Sequence, residues 1–183
     1  MSAKTEATIE DLYHVPENGK AELVHGEVVL MSPTGKKPNR AGFKISLRLY
    51  EYELRIGSGI AVADNAGFNV NLPNRKSFSP DAAFYLGKDP GMKFFEYAPV
   101  FAAEVRSEND YGLAAEREIK EKTADYFAAG TLVVWDVDLL GQDVIRAYRA
   151  DNPHQPDIYR RGEIANAEPA LSGWTMAVDD LFQ

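Results

Sequence analysis

The chain has 183 residues, enough for one domain with a full core, and its 45% hydrophobic share is ordinary for a globular protein. A formal net charge of −8 argues against a protein that coats nucleic acid non-specifically, because such affinity comes from phosphate neutralisation. The absence of cysteine and the three scattered histidines (His14, His25, His154) exclude disulfides and thiolate metal sites and disfavour an imidazole-rich zinc centre. No apolar run reaches about 18 residues, and the residues from Met1 to Glu6 hold no apolar segment. These features predict a cytoplasmic protein without a membrane span or a signal peptide.

Thr8 to Tyr13 reads as a short helix with a Thr-x-x-Asp start, close to a capping box, and residues 16–19 end it. Residues 20–24 and 27–31 flank His25-Gly26 and read as a hairpin. Glu22 lies on its first arm, where an exposed strand acid is the ordinary reading. Residues 32–38 form a breaker-rich loop. From Asn39 to about Gly57 the periodicity is helical, with Ile45, Leu49, Tyr52 and Ile56 on one stripe and Arg40, Lys44 and Arg48 on another. Between Val28 and Tyr50 there is no Asp or Glu, yet there are Lys36, Lys37, Arg40, Lys44 and Arg48. This is the one basic stretch of an acidic chain. It reads either as a solvated helix face or as a phosphate-contacting face beside a metal site.

Residues 59–63 and 67–72 read as strands, and the second alternates Phe68, Val70 and Leu72 against Asn69 and Asn71, so one face is expected to be buried. A turn at 73–76 leads to a strand at 79–86, with Pro80 tolerated at its start. Residues 87–99 read as a loop. An apolar strand at 100–106 lies between breakers. Residues 111–129 form a helix stopped by Gly130, and 131–137 an apolar strand. That succession predicts a right-handed parallel crossover. Residues 143–149 and 157–160 read as antiparallel additions, and Trp174 to Phe182 as a closing helix. With no repeat or linker, residues 1–183 read as one α/β domain with a central mixed sheet.

Asp81 and Glu104 each interrupt an apolar strand. A buried carboxylate is costly unless compensated, and two on neighbouring strands repel each other unless a cation sits between them. A divalent metal with oxygen ligands is the economical compensator. The ordinary alternative is one acid solvated at a sheet edge and the other capping a helix. Period 2 puts Arg106 on the same face as Glu104. On the following helix Ile119, Lys122, Thr123 and Tyr126 share a face, with Glu118 and Glu121 beside or opposite it. Lys122 either reaches the metal site from there or snorkels to water. Partial burial is expected to lower its pKa towards a range useful for proton exchange, whereas Arg106 stays protonated.

Pro80-Asp81 followed by Glu104-Val-Arg106 resembles the PD-(D/E)xK nuclease signature, with Arg where the signature has Lys. The chain more closely resembles the Uma2 family (formerly DUF820), a restriction-endonuclease-like group. The matching stretches are Glu22-Leu-Val-His-Gly-Glu27, Met31-Ser-Pro33, Pro80-Asp81, Ala103-Glu-Val-Arg-Ser107, Lys122-Thr-Ala-Asp-Tyr126, Ala129-Gly130 and Val134-Trp-Asp-Val-Asp138. The family usually has Pro after Ser107; here Glu108 stands there. The resemblance implies a restriction-endonuclease-like fold, a central mixed β-sheet flanked by helices. It implies a Mg²⁺-dependent endonuclease, with Mn²⁺ as a substitute, that hydrolyses phosphodiester bonds of nucleic acid, DNA before RNA. Asp81 and Glu104 would bind metal, Lys122 would be catalytic and Glu22 would support them. The partners expected are nucleic acid and, as the candidate assembly, a homodimer. The rival reading is a catalytically degenerate nucleic-acid-binding or structural protein on the same fold, for which Arg106 and the acidic balance speak.

Overall fold

The structure, a computed structural model, describes residues 6–15 and 19–183, so most of the turn expected at 16–19 lies outside the described residues. Helix α1 (Ile9–Tyr13) starts at Thr8, whose N–H and hydroxyl both donate to the Asp11 carboxylate, at 2.6 and 2.9 Å. Strands β1 (Ala21–Val24) and β2 (Glu27–Leu30) form the expected antiparallel hairpin. Its two turn residues, His25 and Gly26, have φ of 50° and 73°, the left-handed pair that two-residue hairpin turns require.

Helix α2 (Lys36–Ile56) begins three residues earlier than expected and takes in Lys36 and Lys37. Pro38 is tolerated there because first-turn N–H groups have no intrahelical partner. Gly57, in the left-handed conformation with φ 68°, stops the helix. Ile45, Leu49 and Tyr52 are buried as the periodicity demands, but Ile56, the final helical residue, is 41% exposed.

Strands β3 (Ile60–Ala63), β4 (Phe68–Asn69), β5 (Ser77–Phe78), β6 (Ala82–Tyr85), β7 (Phe95–Glu96) and β8 (Phe101–Val105) follow. The expected strand at 67–72 thus keeps only two paired residues, and the expected 87–99 loop contains β7, which pairs with β4. Helix α3 (Leu113–Ala128) then leads to β9 (Val133–Val137), β10 (Ile145–Arg149) and β11 (Asn152–Tyr159). The central sheet has six strands in the order β11-β10-β9-β8-β6-β3. Only β8 and β9 are parallel, and α3 is their crossover; the other pairs are antiparallel. The fold is therefore mixed α/β, as expected.

The closing segment differs from the expected helix. Strand β12 (Ile164–Asn166) pairs with β13 (Thr175–Ala177), and a 3₁₀ turn (Val178–Phe182) ends the chain. Trp174, Met176 and Val178 are buried in alternation. That period of two belongs to a strand, and it outweighs the helical reading.

The helices α2 and α3 cover opposite faces of the sheet. Phe84, Phe101, Trp135 and Val137 pack with Ile45 and Leu49 of α2 and with Trp174. Ala83, Ala102 and Val134 pack with Tyr126 of α3, whose ring stacks on Phe78 at 3.9 Å between centroids.

Arg106, just past β8, is committed to this framework. Its Nε and Nη2 donate to the two oxygens of Asp136 at 2.7 and 2.6 Å, and Nη1 pairs with Glu116 of α3. Asp136 stands opposite Glu104 in the β8–β9 register and is 2% exposed. Arg106→Met leaves that carboxylate with Arg146 alone, 3.6 Å away, so we expect a loss of stability near the lower end of about 3–5 kcal/mol, measured as a lower urea midpoint. An unchanged midpoint would show the pair to be dispensable.

Candidate active site

Asp81 immediately precedes β6, and the pairing of Ala82 with Ala103 brings it beside Glu104 on β8. The Asp81 N–H donates to the Ala103 carbonyl at 3.1 Å, and the Val105 N–H donates to Asp81 Oδ2 at 2.7 Å. Backbone on the neighbouring strand thus fixes the carboxylate. Glu104 is the one residue of β8 that is not fully buried. Lys122 and Tyr126 reach it from α3, one turn apart on one face. The Tyr126 hydroxyl donates to Glu104 Oε1 at 2.6 Å. Lys122 Nζ lies 3.0 Å from the same oxygen and 2.9 Å from Glu22 Oε1. The structure therefore brings Glu22, Glu104 and Lys122 into direct contact, with Asp81 on the adjoining strand end.

Glu22 is 2% exposed, which removes the surface-strand reading. Its Oε1 accepts the Ser79 N–H at 2.8 Å and its Oε2 accepts Arg75 Nη1 at 2.5 Å. Arg75 also reaches Asp125 at 2.8 Å and lies over the Phe78 ring. Lys20 completes the cluster, with Nζ 2.6 Å from Asp64 Oδ1 and 2.9 Å from Asp81 Oδ1. Sequence reasoning missed Lys20, Asp64, Arg75 and Asp125. The signal for Lys20 was its spacing of two from Glu22 on one hairpin arm; Arg75, in a turn, gave none.

Burial raises the pKa of Glu104; Lys122 and Lys20 oppose this, and Asp81 and Glu22 add to it, so the net shift is upward. For Glu22 burial also raises the pKa, but Lys122 and Arg75 outweigh it and the net shift is downward. Lys122 departs from expectation. Burial does act to lower its pKa, yet Glu104 and Glu22 prevail and hold it above the ordinary lysine value. Lys122 is a fixed ammonium at neutral pH, a donor and not a proton acceptor. Lys20 is likewise held up, burial being outweighed by Asp81 and Glu104.

Five carboxylates (Glu22, Asp64, Asp81, Glu104, Asp125) thus meet three cations (Lys20, Arg75, Lys122), an excess of two negative charges. That excess, on oxygen donors, suits a hard divalent cation. Among the described residues no group of three or more acidic or histidine side chains converges to hold a metal ion. Asp81 and Glu104 alone still fit Mg²⁺, which keeps several waters and takes one or two carboxylates.

A cleft of about 350 Å³ opens beside Asp81, lined by Asp64, Ala63 and, from α2, Asn39, Arg40, Gly42 and Phe43. Lys36, Lys37 and Arg40 are exposed on the end of α2 that borders this cleft, and Lys44 lies a turn further on. Arg48 is occupied by Glu51 and Asp180, at 2.9 and 2.8 Å. The turn after Ser107, where Glu108 stands, is closed by Asp110, which accepts both the N–H and the hydroxyl of Ser107. No described helix is long and apolar enough to cross a membrane.

Comparison with known proteins bears on the fold and the family. A solved structure described as a "putative nuclease belonging to DUF820", from Anabaena variabilis ATCC 29413, superposes with a TM-score of 0.74 at 15% identity, over 96% of this chain and 97% of that one. No curated protein matches the chain. The sequence pattern of the Uma2 family, described as "Putative restriction endonuclease", matches residues 7–179, and the chain belongs to that family.

Proposed function

We propose that this protein is a Mg²⁺-dependent endonuclease, with Mn²⁺ as a substitute, that hydrolyses phosphodiester bonds in DNA. A cysteine-free chain suits action in a reducing cytosol. The observation that carries the reading is the Lys122 ammonium, held between Glu104 and Glu22 beside Asp81 in a cluster with two surplus negative charges. Asp81 and Glu104 would hold the cation. When bound, the cation supplies positive charge against the developing phosphorane and lowers the pKa of the attacking water.

The chain's own residues do the rest. Lys122 donates to the charge that builds on the phosphoryl oxygens, a role that needs a permanent ammonium and no proton exchange. Glu22 fixes Lys122, and Tyr126 fixes Glu104, so neither has to reorganise as charge develops. Arg106 takes no part, because Asp136 and Glu116 hold its guanidinium. Lys36, Lys37 and Arg40 contact phosphates flanking the scissile bond and draw the strand towards the cleft.

Added Mg²⁺ is expected to raise the melting temperature by mass action, and Asp81→Asn should abolish the rise. A parent protein that binds neither Mg²⁺ nor Mn²⁺ in a calorimetric titration would show a degenerate site and defeat the nuclease reading. Lys122→Met is expected to lower single-turnover cleavage of labelled DNA about 100-fold or more, while the metal titration persists; full activity in this variant would remove Lys122 from the reaction. Changing Lys36, Lys37 and Arg40 together to Gln should flatten the slope of log K against log salt by up to about 2.7, at about 0.9 per phosphate contact. Arg48→Gln should leave that slope alone. Equal slopes for the triple variant and the parent would make this end of α2 a solvated face only.

A further inference from the structure

The outer face of α2 carries a second pattern, which meets the site only at Phe43, on the lip of the cleft. Phe43, Leu47, Tyr50 and Leu54 are 53%, 40%, 49% and 65% exposed. Their spacing of four, three and four places them on one narrow stripe, the seam of a two-helix coiled coil. It lies away from the buried face of Ala41, Ile45, Leu49 and Tyr52. Four large apolar side chains in line on one rigid helix form a contiguous patch of the kind that marks an interaction surface.

The geometry points to a second copy of this chain as the occupant, with the two α2 helices antiparallel about a two-fold axis between residues 48 and 49. The stripe is self-complementary in that arrangement. Phe43 meets the partner's Leu54, and Leu47 meets the partner's Tyr50, as an isologous contact requires. Charge selects the same orientation. The first half of α2 carries Lys36, Lys37, Arg40 and Lys44 and no acid, while the second half carries Glu51 and Glu53 beside Arg48 and Arg55. Parallel helices would set two basic halves side by side. Antiparallel helices bring Lys44 within about 3 Å, along the axis, of the partner's Glu51, at two residues' rise, on the flank where charges set pairing and orientation. The inference needs neither metal nor nucleic acid, so it stands or falls apart from the nuclease reading.

One helix face per protomer is a small interface, so the full chain should be a reversible dimer with a dissociation constant in the micromolar range, read by sedimentation equilibrium up to about 100 µM. Leu47→Glu should raise that constant about tenfold or more with an unchanged circular dichroism spectrum, since the side chain is exposed. The chain has no cysteine, so Leu47→Cys and Tyr50→Cys chains can be mixed and oxidised. In an equal mixture the mixed 47–50 disulfide should exceed the 47–47 and 50–50 products taken together, beyond the even split that random pairing gives. A parent that stays monomeric throughout, a dimer indifferent to Leu47→Glu, or a predominance of like-with-like disulfides would each overturn the proposal and leave the stripe to a different partner.

Discussion

A carboxylate buried in the middle of the molecule governs the arrangement around it. Glu22 is 2% exposed, and an ion so placed persists only where donors replace the water it has lost. Those donors come from three separate segments: Ser79 ahead of β6, Arg75 in the preceding turn, and Lys122 on α3. The hairpin that carries Glu22 lies outside the central sheet, so these contacts tie it to both sheet and crossover helix. The site is then a consequence of the tie. Lys122, drawn in to meet Glu22, comes within reach of Glu104.

The two positive charges around β8 are sorted by partner. Arg106 offers a planar fork, and Asp136 takes it bidentately. Lys122 offers a compact ammonium that stands between two carboxylates from different strands. Exchanging the two would satisfy neither. This division lets an arginine stand two residues past the strand's glutamate while an ammonium still meets that glutamate.

What was legible in the sequence was local. Asp81 and Glu104 stood out because each broke an apolar run, and Lys122 because helical spacing aligned it with Thr123 and Tyr126. What was not legible was assembled across the chain. Lys20 meets Asp81 across 61 residues and Arg75 meets Glu22 across 53, and no window of sequence reports such pairs. The Lys122 pKa was misjudged for the same reason, since burial was visible in the stripe but the second carboxylate was not. At the end of the chain, a run of apolar residues with two aspartates fitted a helix until its partner strand was known. Pairing with β12 decided the matter, a non-local contact overriding local preference.

Helix α2 faces Asp81 through a glycine. A Cβ at Gly42 would sit 3.4 Å from Asp81 Cβ and 3.5 Å from its carbonyl oxygen, so an added methyl is the most the contact admits. No flexible side chain cushions rod from carboxylate. The gap between Gly42 and Asp81 is thus one methyl group wide, and any side chain larger than alanine at 42 must push the helix and the aspartate apart. The glycine fixes how near the wall of the cleft can stand to its carboxylate.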